Sequence, residues 1–271
     1  MQLLIGSILG ILIALLAWRA RALSRSGAAA AAVTGSLIFG LGGLAWATVL
    51  LVFFISSSAL SRAFPAKKSK LREKFAKGSQ RDWGQVMANG GLGAALVIVH
   101  ALLPDQTWPW VAYTGAMAAV NADTWSTEVG VLNPSPPRMI NSGKVVERGT
   151  SGAVSRLGSL AALGGAVLIA VLAGLFFNVG SSPWENLLFV FAASTIGGLG
   201  GAFFDSYLGA TVQAIYWCPS CQKETEHHPI HMCGAQTYQL RGWRWMNNDI
   251  VNFTASISGA IIALSIWFLL R

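Results

Sequence analysis

Runs of about twenty apolar residues recur along the whole chain, and they limit its fold more than any other feature. A bilayer core is crossed by about 20 residues of helix, and backbone amides in lipid must find their partners within the segment. Runs at about 2–18, 27–44, 46–61, 86–103, 109–132, 153–177, 185–204 and 249–270 therefore predict about eight transmembrane helices. With 54% hydrophobic and only 11% charged residues, the 271-residue chain has the composition of an integral membrane protein. The expected fold class is all-α, a polytopic membrane helical bundle. It forms a single membrane domain over 1–271, with a small loop at 217–247 inserted between the last two helices. The first run has no basic residue ahead of it and is followed by Arg19, Arg21 and Arg25, the reverse of a secretory signal, so it reads as a retained helix. The join near Leu44 to Ala47 admits either two spans or one longer broken segment.

The net charge of +8 would suit nucleic acid only if it were clustered on a binding face. Instead, 18 of the 19 basic residues fall in alternate connections: Arg19, Arg21 and Arg25; Arg62 to Arg81; Arg138, Lys144, Arg148 and Arg156; and Lys223, Arg241 and Arg244. By the positive-inside rule these connections are cytoplasmic and both termini face out. The charge sets topology, no nucleic-acid partner is expected, and the location is a cytoplasmic membrane, as in a prokaryote. Within the basic connection Arg62 to Gln85, Leu71 and Phe75 suit either a short helix on anionic headgroups or a solvated loop.

Against this apolar background, acids at membrane depth are costly, roughly 2.5 to 3.5 kcal/mol each at a helix centre, and point to binding or chemistry. Asn121, Asp123, Thr124, Ser126, Thr127 and Glu128 occupy more than one face of the fifth run, so this helix must be enclosed by others or break. Asp205 ends the seventh run, followed by Ser206, Gly209 and Gln213, and Asn248, Asp249 and Asn252 open the eighth. Asp82, Gln85 and Asn89 share a stripe at the start of the fourth. The connection with Lys144, Arg148, Gly149, Thr150, Ser151 and Gly152 leads into the sixth run, where a helix N-terminus could hold phosphate or could be capped by Thr150 or Ser151 without a ligand. All these groups lie at cytoplasmic ends. Acid and amide oxygens suit Mg²⁺, and the basic residues and helix amides suit phosphate.

The loop between the last two runs holds every cysteine and histidine except His100: Cys218, Cys221, His227, His228, His231 and Cys233. Cys-x2-Cys followed by His-x-Cys on a reducing side suits tetrahedral Zn²⁺. Cys218, Cys221, His231 and Cys233 are the expected ligands, with His228 as substitute, in a closed structural site.

Taken in order, Ala122 to Trp125 with Glu128 and Gly130, the Gly149 to Gly152 turn, Asp205 and Ser206 with Gly209 and Gln213, the Cys/His loop, and Asn248, Asp249 and Asn252 resemble a known membrane-protein family. It includes human transmembrane protein 19 and the plant plastid phytyl-phosphate kinase. Ala153 stands where a further glycine is expected. The stretch from Asp123 to Thr150 is also similar to CTP-dependent lipid kinases such as dolichol kinase. The resemblance implies an isoprenyl monophosphate kinase using CTP or ATP. Asp123 and Asp205 would be Mg²⁺ ligands, Glu128 and Asp249 further ligands or positioners, and Lys144, Arg148 and the Gly149 to Gly152 turn phosphate binders. Asn89, Ser206, Gln213, Asn248 and Asn252 would orient substrate or nucleotide. A transporter or lipid-handling protein that binds a cation or headgroup through the same acids is the other class these residues fit.

Overall fold

The computed structural model describes residues 1–63, 73–177 and 183–270. Seven α-helices occur among the described residues: α1 Gln2–Arg19, α2 Arg25–Arg62, α3 Trp83–Leu102, α4 Trp108–Gly130, α5 Arg156–Leu175, α6 Pro183–Thr211 and α7 Asn248–Leu270. The expected eight become seven because the runs at 27–44 and 46–61 lie in α2, which is interrupted by non-helical Gly43 (φ 70°, ψ −159°). This left-handed backbone is open to glycine at little cost, and it turns the chain back. Gly43 sits beside Gln2 at the start of α1, whereas the Arg62 guanidinium donates to the Ala20 carbonyl, 2.5 Å away, just past the end of α1. The two legs of α2 therefore run antiparallel.

Lipid-facing and helix-facing surfaces divide cleanly on α1. Leu4, Ile5, Ile8, Ile11, Leu12, Leu15 and Leu16 are exposed, while Gly6, Gly10, Ala14 and Ala17 form the buried face. A side chain at Gly10 would come within 2.6 Å of the Ser36 backbone nitrogen. Small residues here let the two backbones approach, which supplies packing that hydrophobicity cannot supply between helices in lipid.

Six helices, all but α4, are long and apolar enough to cross a membrane. The exception is the most enclosed: every residue from Pro109 to Ala122 is buried, and α4 packs against α2, α3, α5, α6 and α7. A helix with no lipid-facing surface can carry polar groups provided they are paired. Thr114 and Ser194 hydroxyls meet at 2.9 Å, and the Tyr113 hydroxyl donates to the Trp46 carbonyl at 2.7 Å. Fully buried Asn121 accepts from Ser56 and Ser57 and donates to the Gly165 carbonyl, so it fastens α4 to α2 and α5.

The connections depart from the all-α expectation. β1 (Arg138–Met139) pairs antiparallel with β2 (Ala153–Val154), and β3 (Ile215–Cys218) lies between β4 (Lys223–Thr225) and β5 (Tyr238–Arg241) in a second antiparallel sheet. Outside the helices, backbone amides still need partners, and short loops find them in each other. The β1–β2 pairing delays the sixth run: α5 starts at Arg156, where Ser155 caps it by accepting from Gly158 N–H at 3.1 Å. In the basic connection, Lys67, Lys68, Lys70, Leu71 and Arg72 lie outside the described residues. The part that is described, 73–81, is not helical.

Candidate functional site

Three helices bring acids to one end of the bundle. α6 carries Asp205; with the Asn252 side-chain amide on α7 turned to the orientation that satisfies both its atoms, the Asp205 carboxylate accepts from its nitrogen at 2.9 Å and the Asn248 carbonyl at 3.2 Å. Asp123, near the end of α4, acts electrostatically on Asp205, as does Glu226 from the Cys/His loop. One turn before Asn252, Asp249 accepts from Lys77. Its other oxygen, Oδ1, is buried with no hydrogen-bond partner among the described residues.

Lys77 also pairs with Asp82 at 2.9 Å, and Asp82 caps α3 reciprocally with Gln85. Burial works against the Lys77 charge, but the carboxylates of Asp249 and Asp82 outweigh it and hold the ammonium pKa above its ordinary value. Burial likewise works against the Asp82 carboxylate, and the Gln85 amide together with Lys77 prevails, lowering its pKa. Lys77 thus ties the start of α3 to the start of α7. The sequence reading treated Lys77 only as a topology charge, and nothing local marks its partner 172 positions away.

Glu226 was missed altogether. Its two oxygens accept from Gln213 Nε2 (2.9 Å) and Ala76 N–H (3.2 Å). Gln213, nearly fully buried, accepts in turn from Ser151 at 2.7 Å. Withdrawal from water, opposed by those two donors, pushes the Glu226 carboxyl up to about 7. An acid inside a loop otherwise read for metal ligands was the only available signal.

The Gly149 to Gly152 turn does not sit at the N-terminus of α5. Gly152 (φ 82°) lies against the Ala210 backbone, and Gly209 leaves space for Ser151 and Gly152. Arg241 donates to the carbonyls of Gly209 and Ser151. The turn is docked on the end of α6, because β2 separates it from α5. The first turn of α5 is itself occupied by Ser155 and by Asn133, which accepts from Leu157 N–H at 3.4 Å. Neither Thr150 nor Ser151 caps it. Arg148 donates to the carbonyls of Asn133 and Pro134, which fixes the loop, whereas Lys144 is exposed between β1 and β2. Ser206 is half-buried beside Asp205 on α6.

Glu128 and Asn89 are placed by contacts with α2 and with the cleft beside it. Glu128 accepts from Ser61 of α2 at 2.5 Å and interacts electrostatically with Arg81. Arg81 donates to Ser58 at 2.8 Å and lies over the rings of Phe53 and Phe54. Together with Gln85 and Asn89, Arg81 gives a polar end to an apolar cleft of about 80 Å³ between α1, α2 and α3.

In the loop between α6 and α7, the ligand atoms of Cys218, Cys221, His231 and Cys233 all lie within 4.8 Å of one another. His228 is not among them: its ring stacks on Tyr216 at 4.2 Å and its Nδ1 faces Thr237.

Among relatives, the chain is 32% identical to Protein PGR of Arabidopsis thaliana, over 94% of this chain and 92% of that one. It is 28% identical to the uncharacterized membrane protein MJ0933 of Methanocaldococcus jannaschii, over 94% and 90%. With Protein VTE6, chloroplastic, also of Arabidopsis thaliana, identity is 27% over 89% of this chain and 64% of that one. No solved structure matches it. The family model described as integral membrane protein DUF92 matches residues 8–260, and the chain belongs to that family of integral membrane proteins.

Proposed function

We propose that the chain is a membrane-embedded kinase that transfers a phosphoryl group from CTP or ATP to an isoprenyl, phytyl-like monophosphate. The observation that carries this reading is the approach of Asp123 on α4 and Asp205 on α6, with Asn252 of α7 bonded to Asp205 and, one turn earlier on α7, Asp249 bonded to Lys77. The resemblance of the same motifs to the family of the plant phytyl-phosphate kinase supports it.

The donor set fits Mg²⁺: carboxylate and amide oxygens are hard ligands, and Asp249 Oδ1 is buried without a partner among the described residues. Asp123 and Asp205 would hold the ion, with Asp249 as a further ligand. When bound, it supplies charge neutralisation on the phosphoryl group in transfer. The acceptor is already an anion, so the protein needs alignment and electrostatic stabilisation rather than a strong base. Lys77 offers its ammonium to a phosphate oxygen, Asn248 and Asn252 hold the neighbouring oxygens, and exposed Lys144 meets the nucleotide from the solvent side. Arg148 and the Gly149 to Gly152 turn keep the connection in place.

The lipid tail lies in the cleft between α1, α2 and α3. Arg81 lines that cleft, and its neighbour Asp82 pairs with Lys77, which bonds Asp249, so a chain of contacts links the polar end of the cleft to the acids. Glu128 keeps Arg81 in position there. In this reading the two legs of α2 each cross, giving eight crossings, with both termini outside and the site on the cytoplasmic side of a prokaryotic membrane. Transport of a cation or headgroup would need polar groups to continue through the bundle. Of the deeper ones, Thr114 bonds Ser194 and Tyr113 bonds the Trp46 carbonyl, while Thr195 Oγ1 is buried without a partner among the described residues. The reading is tested by incubating purified protein with Mg²⁺, labelled CTP or ATP and phytyl, geranylgeranyl or a longer isoprenyl monophosphate: a lipid diphosphate is the expected product, and its absence with every pair rejects the reading.

A further inference from the structure

The Cys/His loop has a built centre that phosphoryl transfer does not use. Cys218 closes β3, Cys221 lies in the turn to β4, and His231 and Cys233 lie in the turn that leads to β5. Cys218 Sγ is 3.5 Å from Cys233 Sγ, His231 Nδ1 is 3.2 Å from Cys233 Sγ, and Cys221 Sγ is 3.6 Å from His231 Nδ1. A disulfide needs sulfurs about 2.05 Å apart, and all three cysteines are free thiols. Ligands of a tetrahedral Zn²⁺, with Zn–S about 2.3 Å and Zn–N about 2.0 Å, stand about 3.5 to 3.8 Å from each other. The spacing is that of a metal shell.

A second observation fixes the histidine. His231 Nε2 is 3.1 Å from the Glu73 carbonyl, an acceptor only, so Nε2 carries the hydrogen and Nδ1 presents its lone pair to the three sulfurs. His231 is nearly fully buried, which holds the ring in that orientation.

We propose that Cys218, Cys221, His231 and Cys233 bind one Zn²⁺, and that this ion holds the segment 73–77 in place, including Lys77. The stitching is continuous. Glu73 O accepts from His231 and from Thr225 Oγ1, and the Glu73 carboxylate pairs with Lys223. Lys74 O accepts from Glu226 N–H, and Ala76 N–H donates to Glu226. The next residue is Lys77, bonded to Asp249 and Asp82. Zinc closes the loop on one side of this segment, and the acid cluster meets it on the other.

The test uses full-length protein purified in detergent under reducing conditions. Elemental analysis is expected to find one zinc per chain. Cys221→Ser is expected to lower bound zinc at least about tenfold, and His228→Asn to leave it unchanged. Should Cys221→Ser fail to fold, stripping zinc from the wild-type protein with a chelator and restoring it with ZnCl₂ gives the same reading. On stripping, hydrogen exchange at the amides of Ala76 and Glu226 accelerates, and re-addition reverses it, while α4 stays protected. Protein without zinc, zinc retained by Cys221→Ser, or a different metal in its place overturns the site. Unchanged exchange at Ala76 on stripping overturns the coupling to Lys77. None of these readouts depends on kinase activity.

Discussion

Lys77 and Asp249 close an ion pair between two segments 172 positions apart in the chain, and that pair joins the start of α3 to the start of α7. The Lys77 side chain is 33% exposed and that of Asp249 17%, so the pair is neither a surface bridge nor a dry one.

Removing one partner leaves the other charge without its counterion. A fully buried pair broken in this way costs about 3 to 5 kcal/mol and a surface pair less than about 1, and partial exposure here puts Lys77→Met at roughly 2. Thermal unfolding in detergent is expected to show the loss. Lys77→Met combined with Asp249→Asn is expected to recover part of it, because the double variant leaves only Asp82, which still accepts the Gln85 amide as the cap of α3, without Lys77.

Glu226 makes the loop sensitive to pH. Its folded pKa, about 7, lies above the ordinary value of 4.5. The folded state therefore disfavours the ionised form: nothing is lost below about 4.5, stability falls as pH rises from there to 7, and the deficit is constant above. Glu226→Gln removes the charge and keeps the hydrogen bonds if the Gln213 amide turns over, since the Ser151 hydroxyl can accept as well as donate. The variant is expected to melt higher than wild type at pH 8 and to converge with it as pH approaches 5. A difference independent of pH would contradict this.

Gly152 and Gly78 form a matched pair of tests. Alanine at Gly152 meets both a left-handed φ of 82° and the Ala210 backbone, whereas alanine at Gly78 meets nothing within 4 Å. Gly152→Ala is expected to cost at least about 1 to 3 kcal/mol and to loosen Ser151 from Gln213. Gly78→Ala is expected to be within about 0.5 kcal/mol of wild type.

Asn121 separates architecture from chemistry. Its side chain bonds Ser56, Ser57 and the Gly165 carbonyl inside the bundle; Ser56 keeps the Phe53 carbonyl and Trp125 as partners, but Asn121→Ala takes this partner from fully buried Ser57, a loss of about 1 to 3 kcal/mol. A lower melting temperature is expected with an unchanged KM for the lipid substrate in the fraction that stays folded.

What the sequence made legible was local. Apolar runs of membrane length marked six of the seven helices among the described residues, α4 being the less apolar exception, and the spacing of Cys218, Cys221, His231 and Cys233 singled out the four residues whose ligand atoms meet. Non-local relations were hidden. Gly43 is one glycine among 30, and only its backbone angles distinguish the turn it makes inside α2. Ala153 and Val154 read as the start of a helix, but their pairing with Arg138 and Met139 moves the glycine turn from α5 to α6. Lys77 and Glu226 carry no local signature, since what makes them part of the site is a partner brought in by the fold.

Phosphoryl transfer by purified wild-type, Asp123→Asn and Asp205→Asn proteins is the measurement that bears most directly on the kinase reading. CTP and ATP would each be paired with phytyl, geranylgeranyl and longer isoprenyl monophosphates in the presence of Mg²⁺. The account predicts a lipid diphosphate from wild type with at least one pair, and a rate reduced at least about a hundredfold by either substitution. Folded, zinc-loaded wild-type protein that turns over none of the pairs, or variants that match its rate, would contradict it.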